Sequence, residues 1–142
     1  MSLDKLIGEG SIHPFKAAQE EINRSMGIAH RDLNHSKRIL SESLDWAYSI
    51  AYNAVLQASR AYMFHCGYRP ASAESHKSTL AFMQFSVDPQ LQESIDYFDR
   101  VRKKRHRVIY DEVGLVSEKE AQQLIQKATE FISWVDMKLK TK

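Results

Sequence analysis

The sequence predicts an all-α protein, an up-and-down bundle of four or five helices, and three observations carry that expectation. Apolar residues recur every three or four positions along most of the chain. There are only five glycines and three prolines, too few for a many-turned β-fold. All three prolines, Pro14, Pro70 and Pro89, fall where helical patterns start or break. A chain of 142 residues with 43% hydrophobic side chains can fill one core, so the expected organisation is a flexible start over residues 1–12 and a single helical domain over residues 13–142.

The first helix is expected from Pro14 to Leu40, with Pro14 in a start position and a stripe at Phe15, Ala18, Ile22, Met26, Ala29 and Leu33. The second, Glu42 to His65, carries a small-residue face of Ala47, Ala51, Ala54, Ala58 and Ala61. Trp46, Tyr48, Tyr52, Leu56, Tyr62 and Met63 lie at other angles, so this helix is apolar on several sides and should be central, touching several neighbours or a second subunit. Gly67 and Pro70 end it. A short third helix begins near Ser72 or Ser75 and breaks at Asp88-Pro89. The fourth spans Pro89 to Tyr110, followed by a turn at Asp111-Glu-Val-Gly114. The fifth opens on Ser117-Glu-Lys-Glu120, a capping box, and presents Leu124, Ala128, Phe131, Val135 and Leu139.

A single cysteine, Cys66, cannot form an internal disulfide, and the start of the chain lacks the apolar run of a signal peptide. No stretch approaches the roughly 18 apolar residues of a membrane span. A cytoplasmic protein without membrane contact is expected. The net charge of +2 is too small to imply nucleic acid by itself, so any such case rests on local clustering.

That clustering occurs in the fourth helix, where residues 100–107 hold six of the 20 lysines and arginines. With Ile95 set at zero and 100° per residue, Leu91, Phe98 and Ile109 gather at about −40° to −60° and define an inward face. Arg102 then falls at about −20°, Arg105 at about −80° and His106 at about +20°, while Arg100, Lys104 and Arg107 point away. An inward guanidinium requires a carboxylate, a ligand or a wet cleft, and such a local violation of patterning marks a candidate site for phosphate. The structural alternative is open as well: cations favour helix C-termini, and arginine stems snorkel from core faces.

The string Arg102-Lys-Lys-Arg-His-Arg-Val-Ile-Tyr110-Asp111, with Trp46-Ala-Tyr-Ser-Ile-Ala-Tyr-Asn-Ala54 and Gly67-Tyr-Arg-Pro70 before it, resembles HEPN-domain proteins from about Leu33 to the C-terminus. The resemblance implies a helical bundle that forms homodimers. It also implies either a metal-independent ribonuclease or a partner of a minimal nucleotidyltransferase in a toxin–antitoxin-type pair. The family motif is Arg, four to six residues, then His, with a polar residue often after the Arg. One register makes Arg105 the motif arginine, His106 the polar residue and Tyr110 the occupant of the histidine position. A second, Arg100 with His106, fits the spacing but places Arg100 outward. In the motif, His exchanges a proton with the RNA 2′-hydroxyl and Arg steadies the phosphorane. Tyrosine, with a pKa near 10, is a poor base at neutral pH, so the first register implies weak or absent cleavage.

The expected site is therefore Arg105, His106 and Tyr110, or Arg100 in the other register, with Arg102, Lys103, Lys104 and Arg107 contacting RNA and Glu42 and Asp45 as acidic partners. The expected function is that of a dimeric RNA-binding or partner-binding module with weak or absent cleavage, and an active metal-independent endoribonuclease toxin is the alternative. No cofactor is expected. His13, His30, His35, His65 and His76 show no helical i, i+4 pairing, so no metal site is predicted, and His76 is assigned a local role at a helix start. Cys66 reads as a small buried side chain, and Trp46, Tyr48 and Tyr52 as core or dimer packing rather than base-stacking rings. No glycine-rich phosphate loop is present.

Overall fold

The computed structural model describes residues 3–71, 75–111 and 113–141. Within them the chain runs α1 (Leu3–Gly8), β1 (Ile12–Pro14), α2 (Gln19–Ile39), α3 (Leu44–His65), β2 (Tyr68–Pro70), α4 (Ser75–Ser86), a 3-10 turn (Pro89–Leu91), α5 (Gln92–Tyr110) and α6 (Glu118–Leu139). The protein is all-α, and the five expected helices are α2 to α6.

Helix α3 is the hub of the bundle. Its five alanines are fully buried, and it touches α2, α4, α5 and α6. Small side chains let flanking backbones close in, while Tyr52, Leu56 and Met63 fill the space at other angles. Between α5 and α6, the buried rings of Phe98 and Phe131 meet edge-on with centroids 5.5 Å apart.

Local chemistry sets the ends of these helices. Ser117 Oγ accepts the Glu120 N–H at 3.1 Å and the Glu120 carboxylate accepts the Ser117 N–H at 3.0 Å, the predicted capping box. Gly67 takes φ +94° just past α3, where a side chain would be strained. Pro89 occupies the first turn after an extended Asp88.

The N-terminal part differs from expectation. The start through Ile12, read as flexible, contains α1 with Leu6 buried and leads into β1, where Ile12 is buried. Pro14 does not open a helix. It pairs opposite Tyr68 in a two-stranded antiparallel ribbon with β2, and α2 begins later, at Gln19. Bonds from Phe15 N–H to Gly67 O (2.8 Å) and from Ala71 N–H to Ser11 O (2.9 Å) fasten both ends of the ribbon. Elements this short contain too few residues for a hydrophobic period to show. Ser72, one of the two expected starts of the third helix, and Glu112, in the expected turn, lie outside the described residues. Cys66 is exposed at the C-cap of α3 rather than buried, because the capping residue has left the face that packs. No helix of the described residues is long and apolar enough to cross a membrane.

Candidate nucleic-acid interface

Helix α5 buries Ile95, Phe98, Val101 and Val108, while Leu91 and Ile109 are only half-buried. On the wheel that sets Ile95 at zero, Val101 and Val108 lie at about −120° and −140°, so the buried face is centred near −80°. That is the position of Arg105. The guanidinium of Arg105, expected to interrupt the apolar stripe, thus projects from its middle, whereas Arg102 sits at the edge and His106 is exposed.

Arg105 is accommodated by α3. Its guanidinium lies 5.3 Å from the centroid of the Tyr52 ring, and its Nε donates a long hydrogen bond of 3.4 Å to the Ser49 carbonyl. A weakly hydrated, planar cation tolerates such a half-buried aromatic seat better than an ammonium would. The phenol of Tyr52 in turn meets His76 Nδ1 of α4 at 3.2 Å. Burial pushes the Tyr52 hydroxyl up to about 12 against the opposing pull of Arg102 and Arg105, so it keeps its proton. Burial also lowers His76 below its ordinary 6.5, and Arg105, Arg60 and Arg102 depress it further. A neutral imidazole therefore stands beside the cationic centre.

His76 lines one cavity of about 510 Å³ with Arg102, Lys103, Arg105, His106 and Tyr110, and none of the six is acidic. Arg102 donates from Nε to Asp99 Oδ1 at 2.9 Å, and Lys103 Nζ lies 3.7 Å from Asp99 Oδ2. The His106 and Tyr110 rings are 4.9 Å apart, and Tyr110 is 71% exposed. Guanidinium forks beside a lysine suit phosphate oxygens, and a neutral imidazole can give or take a hydrogen bond there.

Other expected residues lie elsewhere. Arg100 is exposed and packs over Tyr97 at 5.9 Å, outside this cavity. Lys104 does not point idly outward but binds the Glu120 carboxylate, tying α5 to the start of α6. Arg107 is exposed and outside the cavity lining. Asp45 is not an acidic partner of the arginines: its Oδ2 accepts the Gly114 N–H at 2.9 Å, and the carboxylate that meets Arg102 is Asp99, three residues back on the same helix. Tyr48 and Tyr52 are buried, whereas Trp46 is 58% exposed. The role of His76 has no signature in spacing, because it arises only where α4 packs against α3 and α5.

A family model of the HEPN domain matches residues 22–138. The chain belongs to the HEPN-domain family. Solved structures agree with this HEPN fold at low identity. An archaeal HEPN homologue, ST0689, superposes with a TM-score of 0.65 at 15% identity, covering 83% of this chain and 97% of that one. TT1696 from Thermus thermophilus gives 0.66 at 19% identity, covering 82% and 97%. No curated protein sequence matches this HEPN chain.

Proposed function

We propose that this HEPN domain is a homodimeric RNA-binding module, with weak or absent nuclease activity, that grips the phosphate backbone in the α4–α5 cleft. The observation that carries the reading is the cavity in which Arg102, Lys103 and Arg105 converge with no acidic lining residue among the described residues. In the motif register that begins at Arg105, the terminal position holds the solvent-exposed Tyr110 in place of the motif's histidine. Family resemblance adds a minimal nucleotidyltransferase as the partner protein in a toxin–antitoxin-type pair.

The second reading, an active metal-independent endoribonuclease, is favoured by one observation: His76 brings a neutral imidazole to the cleft from another helix. Incubating structured RNA with the protein and a chelator separates the two. The expected result is binding that weakens steeply with salt and no cleavage, with Arg105→Ala lowering affinity and reducing the salt slope by about one. Cleavage abolished by Arg105→Ala and His76→Ala would replace the binding-module reading with the nuclease. Failure to bind RNA at low salt would overturn both.

A further inference from the structure

The valley between α4 and α5 continues past the cationic cleft. Beyond Arg102 and Lys103 it opens into a second cavity of about 560 Å³ lined by Leu80, Ala81, Gln84 and Phe85 of α4 and Ile95 of α5, together with the charged Lys77, Asp96 and Asp99. Arg102 and Lys103 line both cavities. His76 shares the first cavity with α5 residues up to Tyr110, while Phe85 shares the second with α5 residues down to Ile95. The two helices therefore run antiparallel, and one trough is cationic toward Tyr110 and largely apolar toward Ile95, where Asp96 adds a carboxylate. From Ile95 to Arg105 it extends about 15 Å at 1.5 Å per residue.

We infer that the apolar end is a subsite for an unpaired nucleobase of single-stranded RNA whose phosphates lie on Arg102 and Lys103. This rests on the phosphate-binding reading of the cleft. A nucleotide joins an anionic phosphate to a flat, largely apolar base, and the trough offers those two environments side by side with two cations at the junction. Leu80 and Ile95 form a dry floor, Ala81 leaves space above it, and the half-buried Phe85 ring supplies an aromatic wall. Gln84 offers both a donor and an acceptor to a base edge. Asp99 holds Arg102 and Lys103 at the junction by the 2.9 and 3.7 Å contacts. A duplex keeps its base faces stacked and cannot enter such a trough, so the occupant is an unpaired base.

The test measures fluorescence anisotropy of a labelled single-stranded RNA, a duplex of equal length, and competition by inorganic tripolyphosphate. Ala81→Trp fills the apolar end, and Phe85→Ala removes its aromatic wall; circular dichroism verifies that each variant is folded. Both should weaken single-strand binding on the order of tenfold, the size of one lost base stack, while leaving tripolyphosphate competition as in the wild type. Arg105→Ala should weaken both ligands. Single-strand affinity unchanged in both groove variants but reduced in Arg105→Ala would overturn the base subsite and leave the phosphate cleft intact. Duplex bound as tightly as single strand would also overturn it. If neither RNA nor tripolyphosphate binds the wild type, the cleft reading falls and the subsite with it. An apolar peptide displaced by Ala81→Trp, with RNA unaffected, would assign the groove to a protein partner instead.

Discussion

Arg105 shows how one side chain can be both part of the packing and part of the chemistry. Its stem leaves the middle of the buried face of α5, its guanidinium rests on Tyr52, and its free edge meets the cavity. The Tyr52–His76 contact links that seat to α4. Because burial and the neighbouring Arg105, Arg60 and Arg102 hold the folded-state pKa of His76 below 6.5, the unfolded chain takes up this proton first as pH falls. His76 therefore costs stability from about pH 6.5 downward, until the lowered folded-state value is passed. His76→Gln should remove that cost. Urea midpoints measured at about pH 7.5 and about pH 5.5 should then fall further in the wild type than in the variant. Parallel falls would mean that His76 is not held neutral in the folded protein.

Among the elements, the start of α6 has two attachments that meet in Glu120. Its carboxylate accepts the Ser117 N–H in the capping box and binds Lys104 of α5. These contacts, the Lys104 bond first, hold its pKa below 4.5. A lowered carboxylate adds stability that is present above the unfolded pKa and disappears as pH falls through the folded one. Glu120→Gln should thus flatten the acid limb of a thermal-stability profile, by a modest amount because the pair is partly solvated. Ser117→Ala should cost about 1 kcal/mol in chemical denaturation, the usual loss for a helix cap. The capping box was legible in four residues because its partners are local. The Lys104–Glu120 tie was not, since sixteen residues and a turn separate its ends.

For the whole molecule, stability rests on the contact of α3 with α2 and α6 and on the rings between α5 and α6. Phe131→Ala, at a fully buried site against Phe98, should cost about 3–5 kcal/mol in urea unfolding. At one end of the bundle the bond between Asp45 and Gly114 draws the α5–α6 turn to the start of α3. Trp46, 58% exposed, and Val113, 93% exposed, adjoin the two residues of that bond in sequence. If the domain dimerises through this end, Trp46→Ala should raise the dimer dissociation constant in sedimentation equilibrium by tenfold or more. A wild type that stays monomeric at micromolar concentrations would refute the homodimer.

Residue order alone was enough for the all-α class, the five long helices, the α6 cap and the concentration of charge on one helix, because each depends on neighbours within about four residues. It also placed Arg102 and Arg105 inward, though with the buried face set too far toward Leu91 and Ile109. The small ribbon of Ile12–Pro14 with Tyr68–Pro70, the bond of Asp45 to Gly114, and the arrival of His76 beside Arg105 emerged only on packing. Those contacts join segments whose separation along the chain leaves no periodic trace, whereas the Asp99–Arg102 pair, three residues apart on one helix, was within reach of the residue order and was missed.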